Sequence, residues 1–296
     1  MREQKNWKGV WLVLAAICLG PPNPAHGQTA SLLAEPAVRD ATAPAANICA
    51  ETAAPSPLKD ALRQVCLRKR PVTADSPTRK TIVIGFVGGF VKHDNAKHPE
   101  VQFAAYLRDR YPSAIHAEVF SNHEGQKALH QVYSLLDADA DGNLSTAEKE
   151  QARIIIYGHS WGASETAAFA RELGQKGIPV LLTIQVDIIG KPGQNSSTIP
   201  PNVANAVNFY QPRGFLHGHS EILAADPART RIIGNFRMTY EHRPINCDNY
   251  PWFARTFNKP HHEIENDPRV WDQAASLIDS EISSPTSTAQ ASSSSQ

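Results

Sequence analysis

Short runs of β-branched and other apolar residues alternate along the chain with amphipathic stretches. Each run is too uniformly apolar for a strand with one solvent-facing side, so the strands are expected to be buried on both faces of a sheet. Six such strands are predicted, at residues 81–86, 117–120, 153–157, 180–186, 206–210 and 231–236.

Between the strands, apolar residues recur at spacings of three and four, which predicts helices. Asp267 suits the N-cap of the last helix, and Pro268 suits its first turn. Strands that alternate with helices indicate an α/β fold, with a mostly parallel sheet flanked by helices. The clearest helical stretches cover residues 100–110, 125–136, 164–174 and 267–282.

The segments on either side of residues 79–282 lack this periodicity. Residues 1–27 combine basic side chains, a short apolar run and a small-residue stretch, which is the plan of a secretory signal peptide. The apolar run has about ten residues, fewer than the roughly 20 of a membrane span, so we expect export to a secreted or periplasmic location with no stable membrane span. Residues 28–57 are rich in Ala and Pro and residues 283–296 are rich in Ser, and both are expected to be flexible.

Charge and cysteine content bear on the partners and covalent links that the chain can have. The 296 residues include 29 basic and 29 acidic side chains, and this balance gives no electrostatic case for a nucleic-acid partner. Of the cysteines, Cys18 lies in the signal segment after the bulky Ile17, which disfavours lipid attachment. The other three allow at most one intrachain disulfide, and a Cys49–Cys66 pair would tie down the N-terminal arm.

A candidate nucleophile lies in Gly158-His159-Ser160-Trp161-Gly162, which matches the pattern G-x-S-x-G. Chance alone produces this pattern in roughly 4% of chains of this length. Its position strengthens the evidence for a nucleophile, because a predicted strand leads directly into the motif and a predicted helix follows directly after it. Ser160 is therefore the predicted nucleophile, and the Trp161 amide at the helix N-terminus is a predicted oxyanion donor. The alternative is a glycine-flanked turn with a capping serine.

A second oxyanion donor is expected in the loop after the first strand, where Gly89 or Phe90 would supply an amide. The alternative is a plain Gly-Gly turn. With its Gly-Gly loop and its GHSWG elbow, the stretch 79–282 resembles the α/β-hydrolase superfamily. The resemblance implies that fold and a Ser-Asp-His mechanism, but no particular substrate.

In that superfamily the acid and the histidine follow the nucleophile along the chain, at the carboxyl ends of strands. Asp187 directly follows the predicted strand 180–186 and is the preferred acid. The next strand is followed by Gln211 and Pro212, without a nearby carboxylate. If Asp187 only caps a turn, Asp226 or Asp248 would replace it.

The predicted base comes from a set of twelve histidines. His261 and His262 lie after the last predicted strand and before the final helix, similar to the histidine loop of the superfamily. His261 is preferred for its spacing to the apolar residues that follow, and His262 stays open as the alternative. His217 and His219 are interpreted as lid or pocket residues.

The most specific motif is the acidic stretch 137–148, which satisfies every position of D-x-[DN]-x-[DN]-G-x₅-E. Its chance expectation is on the order of 10⁻⁴ for such a chain. It resembles the EF-hand calcium loop, with Gly142 at the sharp turn and six predicted ligands: Asp137, Asp139, Asp141, the Asn143 carbonyl, Ser145 and Glu148. The stretch after it is short for an exit helix and no second hand is visible, which favours structural calcium over a sensor. A solvated acidic turn without metal is the alternative.

Together these observations predict an exported, calcium-binding serine hydrolase that cleaves small-molecule or lipid carboxylic esters, in the manner of a lipase or esterase. Two alternatives stay open. One is a thioesterase, and the other is a non-catalytic calcium-binding or interaction protein on a hydrolase scaffold.

Overall fold

The structure is a computed structural model that describes residues 80–283. The predicted signal segment, the Ala- and Pro-rich segment, Cys49, Cys66 and the tail from residue 284 onward lie outside the described residues. Cys247 is the one free cysteine in the described part of the chain, and it is buried.

Six parallel strands form the central sheet in the described range, in the order β2-β1-β3-β4-β6-β8. All six correspond to the strands predicted from the sequence. They are β1 Thr81–Val87, β2 Ile115–Ser121, β3 Ile154–His159, β4 Val180–Val186, β6 Val203–Tyr210 and β8 Arg231–Arg237. A two-residue ladder that was not predicted joins β5 Thr198–Ile199 to β7 Leu223–Ala224.

Helices cover both faces of this sheet. Their bounds are α1 Pro99–Arg110, α2 Gly125–Leu136, α3 Thr146–Glu150, α4 Trp161–Gln175, α5 Trp252–Glu265 and α6 Pro268–Ser283. Successive residues of a strand point to opposite faces. Accordingly, Val83 packs with α1 and α6, whereas Ile84 packs with α2 and α4. The predicted α/β fold, with a mostly parallel sheet flanked by helices, is confirmed.

The last strand departs from the prediction of full burial. Six of its seven residues are only partly buried and the seventh is exposed, because β8 pairs on one side only, with β6. An apolar sequence therefore identified the strand correctly but not its edge position.

The second departure concerns the histidine loop. His261 and His262 lie inside α5, not in a loop. Pro260 within the helix and Asn258, whose backbone is not helical, mark a kink in it. An interior proline normally ends a helix, so the sequence favoured a break at this place.

The order of the strands also indicates where a site can form. The chain passes from β1 outward to β2 and then returns to place β3 on the other side of β1. In open α/β sheets, ligands bind beyond the carboxyl ends of the strands at such a switch point. The loop after β1 and the turn after β3 meet here. None of the helices between residues 80 and 283 has the length and apolar composition that a bilayer span requires.

Candidate active site

Ser160 occupies a sharp turn between β3 and α4. Its backbone has φ 59° and ψ −121°, a conformation that costs a non-glycine residue free energy. The surrounding structure holds it, because the Ser160 amide donates to the Val186 carbonyl at 2.9 Å. The side chain projects from the carboxyl end of the sheet, at the predicted position.

Glycines make this turn possible by leaving no side chain in its way. A Cβ at Gly162 would lie 2.1 Å from the Phe86 carbonyl oxygen, and a Cβ at Gly158 would lie 2.5 Å from the backbone of Gly162. A Cβ at Gly88, in the loop after β1, would lie 2.9 Å from the Cβ of Ser160. The Gly-Gly loop therefore packs directly against the serine.

The structure brings Ser160, His261 and Asp187 into one chain of contacts. His261 Nε2 lies 3.0 Å from Ser160 Oγ, and His261 Nδ1 lies 2.6 Å from Asp187 Oδ2. All three residues are buried, with exposed fractions of 8%, 4% and 0% for Ser160, His261 and Asp187. Both ring nitrogens of His261 are thus engaged, one by a hydroxyl and one by a carboxylate.

Asp187 is held by a set of donors that the sequence did not reveal. Its Oδ1 accepts from the amides of Gln211 and Gly218, at 3.0 and 2.9 Å, and its Oδ2 accepts from Gln211 Nε2 at 2.9 Å. Like Ser160, Asp187 has positive φ, at 48°. The only available signal was Gln211, a polar residue at the carboxyl end of the next strand, whose role as donor was not recognised.

Burial and neighbouring charge tune His261. Burial is the larger cause and His159 the next, and together they lower the pKa of His261 to about 4 despite the hydrogen bond to Asp187. The rings of His159 and His261 are 4.6 Å apart. The imidazole is therefore neutral at neutral pH and is able to accept a proton.

The alternative residues lie elsewhere. Asp248 is exposed and pairs with Arg255, and Asp226 accepts from the Ala228 amide in a turn. His262 stacks on Tyr250, with a ring separation of 3.8 Å. His217 and His219 lie on the loop that also carries Gly218, where the His219 amide donates to the Ile188 carbonyl at 3.1 Å.

The predicted oxyanion residues lie around Ser160. Trp161 is the first residue of α4, and its ring meets the Phe90 ring edge-on at 5.5 Å. The Gly89 carbonyl accepts a hydrogen bond from the side-chain amide of Asn122, a buried residue that directly follows β2. The N–H of that same peptide unit belongs to Phe90, and in a planar trans peptide it points opposite to the carbonyl. Asn122 therefore fixes the orientation of the Phe90 N–H.

The acidic loop forms a second, separate cluster. Carboxylate oxygens of Asp137, Asp139 and Asp141 lie within 4.8 Å of one another. Gly142 has φ 82°, which provides the sharp turn. Leu144 packs against the core and anchors the loop through its apolar side chain. The loop is exposed, apart from its two ends and the partly buried Leu144.

The Glu148 carboxylate is bound to both ends of the acidic loop. Its Oε1 accepts from the Ala138 amide at 2.6 Å, and its Oε2 accepts from the amide and hydroxyl of Ser145 at 2.9 and 2.8 Å. Ser145 and Glu148 form a capping box at the start of α3. Glu148 thus joins the two ends of the loop.

The crowded carboxylates affect one another. The Asp141 amide lowers the pKa of Asp139, but the Asp141 carboxylate and the proximity of Asp137 outweigh that effect, and the pKa of Asp139 is raised. Like charges held this close are destabilising unless a cation or protons neutralise them.

Comparison with known proteins found no family model that matches the chain and no matching curated protein. Among solved structures, the chain is similar to a cutinase-like protein from Cryptococcus sp., at 12% identity and a TM-score of 0.38, over 71% of this chain and 98% of that one. It is also similar to an arylesterase, at 11% identity and a TM-score of 0.36, over 70% of this chain and 76% of that one. An acetyl xylan esterase has 9% identity and a TM-score of 0.31, over 70% and 100%. A likeness this low transfers no activity to the chain.

Proposed function

We propose that this chain is an exported serine hydrolase that cleaves carboxylic esters. The observation that carries the proposal is the buried chain of contacts from Ser160 Oγ through the His261 ring to Asp187, with separations of 3.0 and 2.6 Å. A nucleophile, a base within reach of it and an orienting carboxylate are the parts that such catalysis requires.

In the proposed mechanism, His261 Nε2 takes the proton of the Ser160 hydroxyl as the oxygen attacks the ester carbonyl carbon. The charge that develops on the carbonyl oxygen is stabilised by the amides of Trp161 and of Phe90 or Gly89. His261 then gives its proton to the departing alcohol, and the acyl group remains on Ser160. Water, deprotonated by His261, releases the acid and restores the serine.

Asp187 has two tasks in this scheme. Its carboxylate faces Nδ1, which selects the tautomer with a free Nε2 and stabilises the imidazolium that forms in the transition state. The donors from Gln211 and Gly218 hold the carboxylate in place. They support its role as a fixed orienter of the imidazole.

We further propose that the acidic loop binds calcium as a structural ion. The three clustered aspartates, with the positive φ of Gly142, fit a hard cation that takes six to eight oxygen ligands. The Asn143 carbonyl, Ser145 and a turned Glu148 would complete the set. The loop directly precedes α3 and β3, so the ion would order the segment that leads to Ser160.

Export is proposed from the sequence of residues 1–27. The proposed location is therefore secreted or periplasmic, and the proposed substrate is a small-molecule or lipid ester. Millimolar calcium outside cells would occupy the acidic loop even if its calcium affinity were low.

The test is labelling of the full chain with a fluorophosphonate probe, beside the variants Ser160→Ala and Ser164→Ala. Ser164 is the matched control, because its buried hydroxyl lies one turn along the same helix and donates to the Ile189 carbonyl. We expect labelling of the wild type and of Ser164→Ala, and none of Ser160→Ala. Absence of labelling in calcium would favour a non-catalytic binding protein.

The substrate class is then determined by comparing turnover rates for an oxygen ester and a thioester of the same acyl group. We expect faster turnover of the oxygen esters. Turnover of the thioesters alone would identify a thioesterase instead.

A further inference from the structure

Another cluster of titratable side chains, two of them buried and one partly buried, lies next to the Ser160 site. The proposed mechanism does not use it. It consists of His98 and Glu100 at the start of α1 and Glu265 at the end of α5. One potential ligand atom from each of the three residues lies within 4.8 Å of the others. We refer to these three residues as the His-Glu-Glu cluster.

Glu100 is a buried carboxylate that lacks hydrogen bonds in the described part of the chain. Its side chain is 0% exposed, and neither carboxylate oxygen has a hydrogen-bond partner among the described residues. The nearest cationic group is His159 Nδ1, which lies 3.6 Å from Glu100 Oε1, beyond hydrogen-bond length. A buried carboxylate is unfavourable unless hydrogen bonds or cations compensate it, and the one long contact to His159 leaves the Glu100 carboxylate short of such compensation.

Two neighbouring imidazoles in the described range also lack hydrogen bonds, whereas Glu265 has them. Glu265 accepts from His98 Nδ1 at 2.9 Å and from the Tyr250 hydroxyl, but His159 Nδ1 is 3.5 Å away. The Nε2 of His159 and both ring nitrogens of His262 are buried without a hydrogen-bond partner among the described residues. Two carboxylates and up to three imidazoles thus surround one small region.

We propose that the His-Glu-Glu cluster is a binding site for a divalent first-row transition ion such as zinc, with His98, Glu100 and Glu265 as its ligands. A mixed set of imidazole and carboxylate ligands suits zinc, manganese or iron(II), whereas calcium takes six to eight oxygens. The ion would neutralise Glu100 and would fasten the start of α1 to the end of α5.

The site lies close to His261 without touching it. His159, whose ring is 4.6 Å from the His261 ring, separates the cluster from the proposed base. The ion would therefore support the helix that carries His261 and would not contact the substrate.

The experiment is calorimetric titration of the full chain with zinc, after chelator treatment and in excess calcium, which keeps the acidic loop occupied. We expect one equivalent of zinc per chain. Glu100→Gln and Glu265→Gln should each weaken binding by at least about 100-fold, since loss of a partner even outside the ligand shell costs 10- to 100-fold. Bound cobalt(II) should give visible absorption bands in the wild type that both variants lack.

Two controls remove a carboxylate elsewhere. Glu118→Gln changes a partly exposed carboxylate 3.3 Å from His116 Nε2, and Asp139→Asn changes the acidic loop. Both should bind zinc like the wild type. No zinc binding by the wild type, binding that survives both cluster variants, or binding lost only in Asp139→Asn would each overturn the proposal.

A measurement on the wild type covers the case in which the cluster variants do not fold. In imidazole ¹⁵N NMR spectra, substoichiometric zinc should shift the ring signals of His98 and leave those of His116 unchanged. Shifts at His116, or at no histidine of the cluster, would contradict the assignment. Neither experiment depends on Ser160, so each can fail while fluorophosphonate labelling succeeds.

Discussion

Ser160 and Ala140 are both non-glycine residues with positive φ, at 59° and 56°, but the structure holds them in different ways. Ser160 is buried at the end of β3, where the Val186 carbonyl and the close backbone at Gly162 fix its position. Ala140 is exposed in the acidic loop, where the surrounding hydrogen bonds join residues of the loop itself, such as Asp137 and Asp141.

The difference teaches how strain relates to chemistry. Strain at Ser160 is imposed by contacts between distant elements and serves to present a hydroxyl beside His261. Strain at Ala140 is imposed by the short loop itself, which brings three aspartates together. Asp187, the third non-glycine residue with positive φ among the described residues, belongs with Ser160. The following predictions test this contrast, from the largest expected effect to the smallest.

The largest effect is expected for the substitution His261→Ala. It removes the proposed base and should lower kcat/KM for an ester by on the order of 10⁴-fold or more. His262→Ala, the adjacent buried histidine, is the matched control and should retain most of the activity. Equal losses in steady-state assays of the two variants would mean that His261 has no special role.

Asp187→Asn should reduce both turnover and stability. The amide would leave His261 in the wrong tautomer, with a loss of about 10⁴-fold in kcat. It would also place a donor against the Gln211 and Gly218 amides, which costs about 1–3 kcal/mol in the free energy of unfolding. Kinetics and urea denaturation measure the two parts. Asp226→Asn, in an ordinary turn, should change neither.

Asn122→Ala should act on the buried site through the loop after β1. Without the hydrogen bond to the Gly89 carbonyl, the Phe90 amide is no longer fixed, and we expect kcat to fall roughly tenfold to 100-fold with KM little changed. Asn205→Ala, which removes a donor to the Leu181 carbonyl and Glu281, is the control. A change confined to KM would point to substrate binding instead.

Removal of calcium should affect the exposed loop more than the chemistry. At calcium concentrations about 100 times the Kd, bound ion adds about 2.7 kcal/mol, so chelation should lower Tm by roughly 5–10 °C. Asp139→Asn should have the lower Tm already and should not respond to chelator. Differential scanning fluorimetry decides, and a Tm of the wild type that is insensitive to calcium would refute the ion site.

The smallest effect is expected for Ala140→Gly. Glycine adopts positive φ without the cost that a Cβ imposes, so the variant should be about 0.5–1 kcal/mol more stable or unchanged in urea denaturation. Labelling of Ser160 should stay the same. A clear loss of stability would show that Ala140 is held by more than the loop's own geometry.

The same contrast explains what the sequence could predict. The six strands were found because buried parallel strands are continuous apolar runs, and the acidic loop was found because all its residues lie within one short motif. Ser160 could be predicted because its elbow is also local. For these features the sequence signal lies in residues that are near neighbours in the chain.

The rest depends on contacts between distant residues. Glu100 read as an ordinary polar residue of a predicted helix and Glu265 as one of the predicted histidine loop, and His98 reaches Glu265 across 167 positions of the chain. Helix α5 was predicted as a loop from the resemblance to the histidine loop, and the structure accommodates its interior Pro260 by a kink at Asn258. Asn122 gave one usable signal, since it directly follows a strand next to β1, but its partner on Gly89 depends on the register of the sheet.

The position of α5 also sets the order of events while the chain is being made. His261 follows Ser160 by 101 residues, which takes a ribosome roughly 5–20 s to add. Throughout that interval the serine lacks the imidazole that the proposed mechanism assigns as its base. Under that mechanism, a nascent or truncated chain that stops short of α5 is inactive, and the serine gains its base only when the C-terminal region has been made.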